Sequence, residues 1–199
     1  MLNRALRQVP PWAIYIVGAL PALWMTYQTL TGTIGIDPVR AIEWGLGLWA
    51  LRLLIATLCV TPLRWMGLNL MRFRRQLGLV AFAYVCLHLL AWVTIDMGLR
   101  WEQILPDLIK RWYIVVGMSA LILLVPLAVT SNNASIRFLG AKGWNRLHQL
   151  AYPATILAAV HFMMVGKVYT AEVLTYAGIL CALLAARAAR FVLNRGARV

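Results

Sequence analysis

Three histidines and one arginine, His88, His148, His161 and Arg52, are the residues of this 199-residue chain whose type and position carry chemistry. Each falls inside or at the end of a long apolar run, where an ionisable group is costly and therefore functional by default. His88 lies 12 residues past Gln76, and His161 lies 14 past Leu147, the starts of two such runs. At about 1.5 Å of helical rise per residue, the imidazoles sit about 18 and 21 Å up their helices, at nearly one depth. Two neutral imidazoles facing each other across a bundle can be the axial ligands of a haem, whose apolar macrocycle suits a bundle core. The competing reading, that each bonds a neighbouring hydroxyl or carbonyl and only joins helices, is weakened by the depth match.

His148 comes 13 residues before His161, about 20 Å below it, a step that would serve a second, inner haem. Thirteen residues leave the two side chains about 140° apart on a straight helix, so a shared face needs a bend, for which Pro153 is placed. No histidine on the third run matches His148, since the residue 14 before His88 is Arg74. One bis-histidine haem is the firm count, and His148 reads equally as an interfacial histidine near a helix start. Arg52 lies eight residues into its run, about 12 Å from the outer surface and near the level of His88. With no carboxylate read within any span, a haem propionate is its preferred partner, and snorkelling to the interface is the alternative.

The elements that hold these residues follow from composition. The chain is 62% hydrophobic and 13% charged, against about 45–50% and 25% for a soluble domain, which excludes a soluble globular protein. Apolar runs at 12–30, 44–61, 76–95, 112–130, 147–165 and 171–191 give an all-α, six-transmembrane-helix bundle that occupies 1–199 as one domain. Pro10 and Pro11, Thr61 and Pro62, and Ser131 to Asn133 punctuate the ends. Tryptophans 12, 44, 65, 101, 112 and 144 stand at or near the interfaces. The first run starts like a signal peptide but continues to Leu30, so it is read as a retained span.

The net charge of +13 belongs to loops rather than to a nucleic-acid surface. Thirteen Lys and Arg fall in the N-terminus, the second and fourth loops and the C-terminus; five fall on the other side, together with all six acidic residues. The positive-inside rule then puts both termini in the cytoplasm. Cys59, Cys86 and Cys181 form no metal-binding spacing and read as core residues.

Four stretches carry a resemblance that covers most of the chain. They are Gly35-Ile-Asp-Pro-Val-Arg40, the segment from Ala50 to Arg64, the segment from Arg74 to Leu79 running on to Cys86-Leu-His-Leu89, and Trp144 to Tyr152 with His161 beyond. In these the sequence resembles the MsrQ family, the haem-binding membrane subunits of bacterial periplasmic methionine sulfoxide reductase systems. That family is similar to the ferric-reductase membrane domain without its flavin and nicotinamide domain. The resemblance implies a haem b subunit of the inner membrane, with His88, His148 and His161 as the haem-associated histidines. It implies electrons passing from the quinone pool, as quinol, to a periplasmic molybdopterin-containing catalytic subunit that repairs oxidised methionine. The subunit itself is then electron-transferring rather than catalytic. FMN is implied as well, and Arg72, Arg74 and Arg75 are the candidates for its phosphate, although the positive-inside rule or contact with membrane lipid explains the same cluster. A transporter or a non-redox membrane anchor is the alternative class, without inverted repeats to support the first or a use for paired histidines in the second.

Overall fold

The structure is a computed structural model that describes residues 2–166 and 170–196. Lys167 and Arg198, two of the charges used for orientation, lie outside the described residues. Nine α-helices are found among those described: α1 (Leu2–Gln8), α2 (Ala13–Leu30), α3 (Pro38–Trp65), α4 (Arg74–Ala91), α5 (Trp101–Lys110), α6 (Trp112–Val129), α7 (Asn133–Leu147), α8 (Ala151–Val165) and α9 (Ala171–Gly196). Six of them coincide with the six apolar runs. The other three are connectors: α1 precedes the first run, α5 crosses the loop between α4 and α6, and α7, broken at Gly140 where φ is 68°, crosses the loop before α8. Four segments, Pro38–Trp65, Met71–Asp96, Trp112–Val129 and Ala171–Leu193, are long and apolar enough to cross a membrane.

The second run is longer than expected because Asp37 caps it, accepting the Arg40 backbone N–H at 3.1 Å, and Pro38 follows at the first helical position. The fifth run is shorter. It opens as a 3₁₀ turn at His148–Leu150 before α8 proper, and Pro153 falls in the first turn of α8, where its missing N–H costs nothing. The bend assigned to Pro153 is therefore a change of helix type at His148 instead.

Helix α3 is the axis of the bundle. Its Leu51, Leu58 and Val60 are almost fully enclosed; Leu51 and Leu58 pack against α8 and α9 on one side while Leu46 and Ala50 meet α2 and α4 on the other. In lipid, apolar side chains gain little from helix contact, so close approach through small residues carries more of the association. Ala81 of α4 and Ala154 of α8 are fully buried in such a contact, beneath Leu54 and Leu124. The Tyr84 hydroxyl enters the backbone of α2 beside Pro21, donating to the Gly18 carbonyl at 2.8 Å and accepting the Ala22 N–H at 3.0 Å. It ties α4 to the first helix of the bundle. Helix α4 continues past Ala91 as a π turn, Trp92–Asp96, which leans Trp92 and Asp96 into the cavity described next.

Candidate functional site

A cavity of about 750 Å³ opens at the acid-bearing end of the bundle between α3, α4, α6 and α8. Its walls are mainly aliphatic and aromatic, with Leu51 and Leu54 from α3, Val85 from α4, Met118 and Leu121 from α6, and Phe162 from α8. Its mouth is polar, ringed by Asp37, Arg40, Glu43, Asp96 and Tyr113. Arg40 is the one arginine among the lining residues.

His88 and His161 enter this cavity from α4 and α8. Their ring centres stand 6.2 Å apart with the planes crossed at 74°. His88 Nδ1 lies 2.9 Å from the Glu43 carbonyl oxygen, and His161 Nδ1 lies 2.7 Å from the Tyr113 carbonyl oxygen. A carbonyl only accepts, so in each ring the proton sits on Nδ1 and Nε2 keeps a free lone pair. Holding one imidazole nitrogen on a backbone carbonyl fixes the tautomer and raises the basicity of the other, which is the arrangement of a metal-ligating histidine.

Haem fits these residues on geometry. Two imidazoles that share an iron at bonds of about 2.0 Å, each ring centre about 1.1 Å behind its ligating nitrogen, stand about 6.3 Å apart. The observed 6.2 Å agrees, and the apolar walls match the macrocycle.

His148 is not brought to this pair. It lies at the opposite, basic end with its ring stacked on Trp144 at 3.6 Å and its Nδ1 donating to the Trp144 carbonyl at 3.1 Å, while the Leu127 carbonyl lies near the ring as a second backbone acceptor. Among the described residues, two side chains near it carry buried polar atoms without hydrogen-bond partners: Gln76 through Oε1, and Arg187 through Nε and Nη1. Arg74 lies within electrostatic range of both His148 and Arg187.

Arg52 requires a correction. The premise that no carboxylate meets it fails, because Glu172, the second residue of α9, lies 3.3 Å from Arg52 Nη2 and Arg52 Nε donates to the Tyr176 hydroxyl at 2.6 Å. The guanidinium also stacks over Trp49, 5.1 Å from the ring centre, and Arg52 does not line the cavity. Its long side chain reaches toward the end of α9 rather than across to the histidines. With Glu172 in place, Arg52 is neutralised without a cofactor anion.

Of the basic loop cluster, Arg72 donates to the Arg7 carbonyl at 2.6 Å, while Arg75 donates to the Ser131 carbonyl at 2.6 Å and to Asn133 Oδ1 at 2.9 Å. Both are committed to tying neighbouring segments together, which leaves Arg74 as the member of the three with no side-chain hydrogen bond among the described residues.

Sequence reasoning passed over two kinds of functional residue. Arg40 was taken only as a loop charge, yet it stands at the cavity mouth. Gly47 and Gly117 drew no notice, yet a Cβ on Gly47 would lie 3.1 Å from the His88 ring, and one on Gly117 would lie 2.9 Å from His161 Nδ1. The signal was present in the spacing, since each glycine stands four residues after the carbonyl that holds its histidine.

Comparison with known proteins agrees with the architecture. Residues 44–159 match the family described as "Ferric reductase like transmembrane component", a stretch that includes His88 and His148 and stops two residues short of His161. Relatives from Brucella anthropi, Brucella ovis and Brucella canis, each named "Protein-methionine-sulfoxide reductase heme-binding subunit MsrQ", are 49% identical over 180 residues, which is 90% of this chain and 81% of each relative. A transmembrane family match and several apolar helices make this a membrane protein. With half of its residues shared with those relatives across nearly its whole length, the chain belongs to the MsrQ family of ferric-reductase-like membrane proteins.

Proposed function

We propose that this protein is a haem b electron-transfer subunit of the inner membrane, carrying electrons from quinol to a periplasmic, molybdopterin-containing methionine sulfoxide reductase. The observation that carries the reading is the pair of imidazoles at 6.2 Å, each with Nδ1 given to a carbonyl and Nε2 available for iron. Bound there, haem supplies a one-electron carrier. The protein's own contribution is to orient both ligands, to exclude water with the walls of α3, α6 and α8, and to hold a propionate. Arg40 at the mouth suits that last task, a role earlier assigned to Arg52.

The direction of transfer follows from charge. The six-span arrangement with both termini in the cytoplasm puts the haem cavity toward the periplasmic side, under loops that carry the acidic residues. The segment from Asp96 to Arg111, which contains α5, is the docking candidate for the catalytic subunit. At the cytoplasmic end, Gln76 Oε1 and Arg187 Nε and Nη1, buried without hydrogen-bond partners among the described residues, support a polar ligand in the donor pathway, a hydroquinone head or an inner haem. FMN has less support, because Arg72 and Arg75 already donate to the carbonyls of Arg7 and Ser131.

In sealed proteoliposomes of the full chain, anaerobic addition of a membrane-soluble quinol is expected to reduce the haem. The purified periplasmic reductase with methionine sulfoxide then reoxidises it from outside. A haem that stays oxidised under quinol, or reduced haem that the partner and its substrate cannot reoxidise, would defeat the assignment.

A further inference from the structure

We propose that Gly47 and Gly117 are positioning residues for the two iron ligands, a duplicated device in which a glycine opens a helix carbonyl to an imidazole from the neighbouring helix. The inference rests on the haem reading above and specifies how the chain holds its ligands.

In an α-helix the Cα–Cβ bond tilts toward the N-terminus, so the side chain at one position covers the carbonyl four residues earlier. That carbonyl already accepts the intrahelical N–H, and a ring that comes in over the position four residues later reaches its second lone pair most closely where that position has no Cβ. In α3 the carbonyl is that of Glu43 and the covering position is Gly47; in α6 the carbonyl is that of Tyr113 and the covering position is Gly117. Each carbonyl takes the Nδ1–H of a histidine from the helix packed against it, His88 on α4 and His161 on α8. The two halves of the site repeat one local design on different helix pairs.

The contact distances rank the two positions. A Cβ at residue 117 would stand 2.9 Å from His161 Nδ1, closer than real Cβ contacts come, and 3.0 Å from Cε1, so the imidazole would have to shift away from its carbonyl. At residue 47 the nearest ring atoms are 3.1 and 3.2 Å away, so His88 would tilt by a few tenths of an ångström and keep its place. Loss of the carbonyl frees the tautomer and the ring plane of His161, while tilting alone changes the angle at which His88 meets iron. Alanine is a better helix former than glycine, so neither change should weaken its helix.

The test is made on the full chain in detergent with Gly117→Ala, Gly47→Ala, and the controls Gly78→Ala and Gly178→Ala, positions where a Cβ meets nothing within 4 Å. Haem per protein by pyridine haemochrome, the ferric low-spin electron paramagnetic resonance signal and the midpoint potential are read, with helical circular dichroism as the check on folding. Gly117→Ala should lose about tenfold or more in haem affinity, or turn high-spin as His161 leaves iron. Gly47→Ala should keep its haem with altered low-spin g values and a displaced midpoint, and both controls should match the parent. Gly117→Ala and Gly47→Ala spectra that both match the parent would overturn the proposal. So would loss of helical signal in these two variants with the controls intact, because the glycines would then serve helix packing rather than the ligands. A parent protein without haem would instead refute the haem reading itself.

Discussion

His161→Ala is expected to remove the low-spin haem signature and most of the haem, and His88→Ala should do the same. The cavity binds the cofactor through two directional bonds and a largely apolar wall, so removing one imidazole leaves iron five-coordinate and the macrocycle held by contact alone. A drop of about tenfold or more in retained haem is the scale on which lost metal ligands and their supports are felt. Alanine suits the middle of a helix, so loss of fold is not the expected cause. The informative control is His148→Ala. That ring lies at the other end of the bundle, stacked on Trp144, so the signature of the His88 and His161 pair should survive its removal. Parallel haemochrome and spin-state measurements check all three. A His161→Ala protein that keeps full, low-spin haem would show that the 6.2 Å pairing is not the ligand set.

Arg40→Gln should weaken haem retention and move the midpoint negative, and Arg52→Leu should do neither. A cation beside the haem stabilises the extra negative charge of the ferrous state, so losing it lowers the potential. Arg40 lines the mouth of the cavity, where the propionates of a haem held by these two histidines would meet polar surroundings, and it shares that mouth with Asp37, Glu43 and Asp96. Those carboxylates would repel a propionate, which makes the one guanidinium there more consequential. Arg52 is bound instead by Glu172 and Tyr176 and stacks on Trp49, outside the cavity. Its loss should loosen α9 against α3 and appear in thermal stability rather than in the spectrum. Redox titration of both variants beside the parent separates the two roles, and a midpoint shift in Arg52→Leu with none in Arg40→Gln would reverse the assignment.

Much of this arrangement was legible in the sequence, for reasons that particular residues make plain. Lipid demands long apolar helices, so the six runs announced themselves, and residue counting along a helix of fixed rise put His88 and His161 at one level. Short connectors obey weaker rules. Helix α5 mixes Trp101, Leu105 and Ile109 with Glu102, Asp107 and Lys110, a pattern that reads as a loop unless its period is followed, and α7 announces itself chiefly through the Asn132 side chain that caps it at the Ser135 N–H. Arg52 was misjudged because depth alone ignored the reach of an arginine side chain, and because Glu172 at the very start of the last run was counted as loop. The glycines escaped notice for a different reason. Their function is an absence, the missing Cβ over the Glu43 and Tyr113 carbonyls, and it is visible only once the neighbouring helix is in place.

The most direct test is the visible spectrum of the detergent-purified chain, oxidised and after dithionite. Bis-imidazole ligation by His88 and His161 predicts a low-spin ferric Soret band, sharp α and β bands on reduction, and a pyridine haemochrome of the b type, since the chain carries no CxxCH motif for covalent attachment. The crossed ring planes, at 74°, further predict a strongly anisotropic low-spin ferric resonance signal. A colourless protein, purified from cells supplied with haem, would contradict the account at its centre.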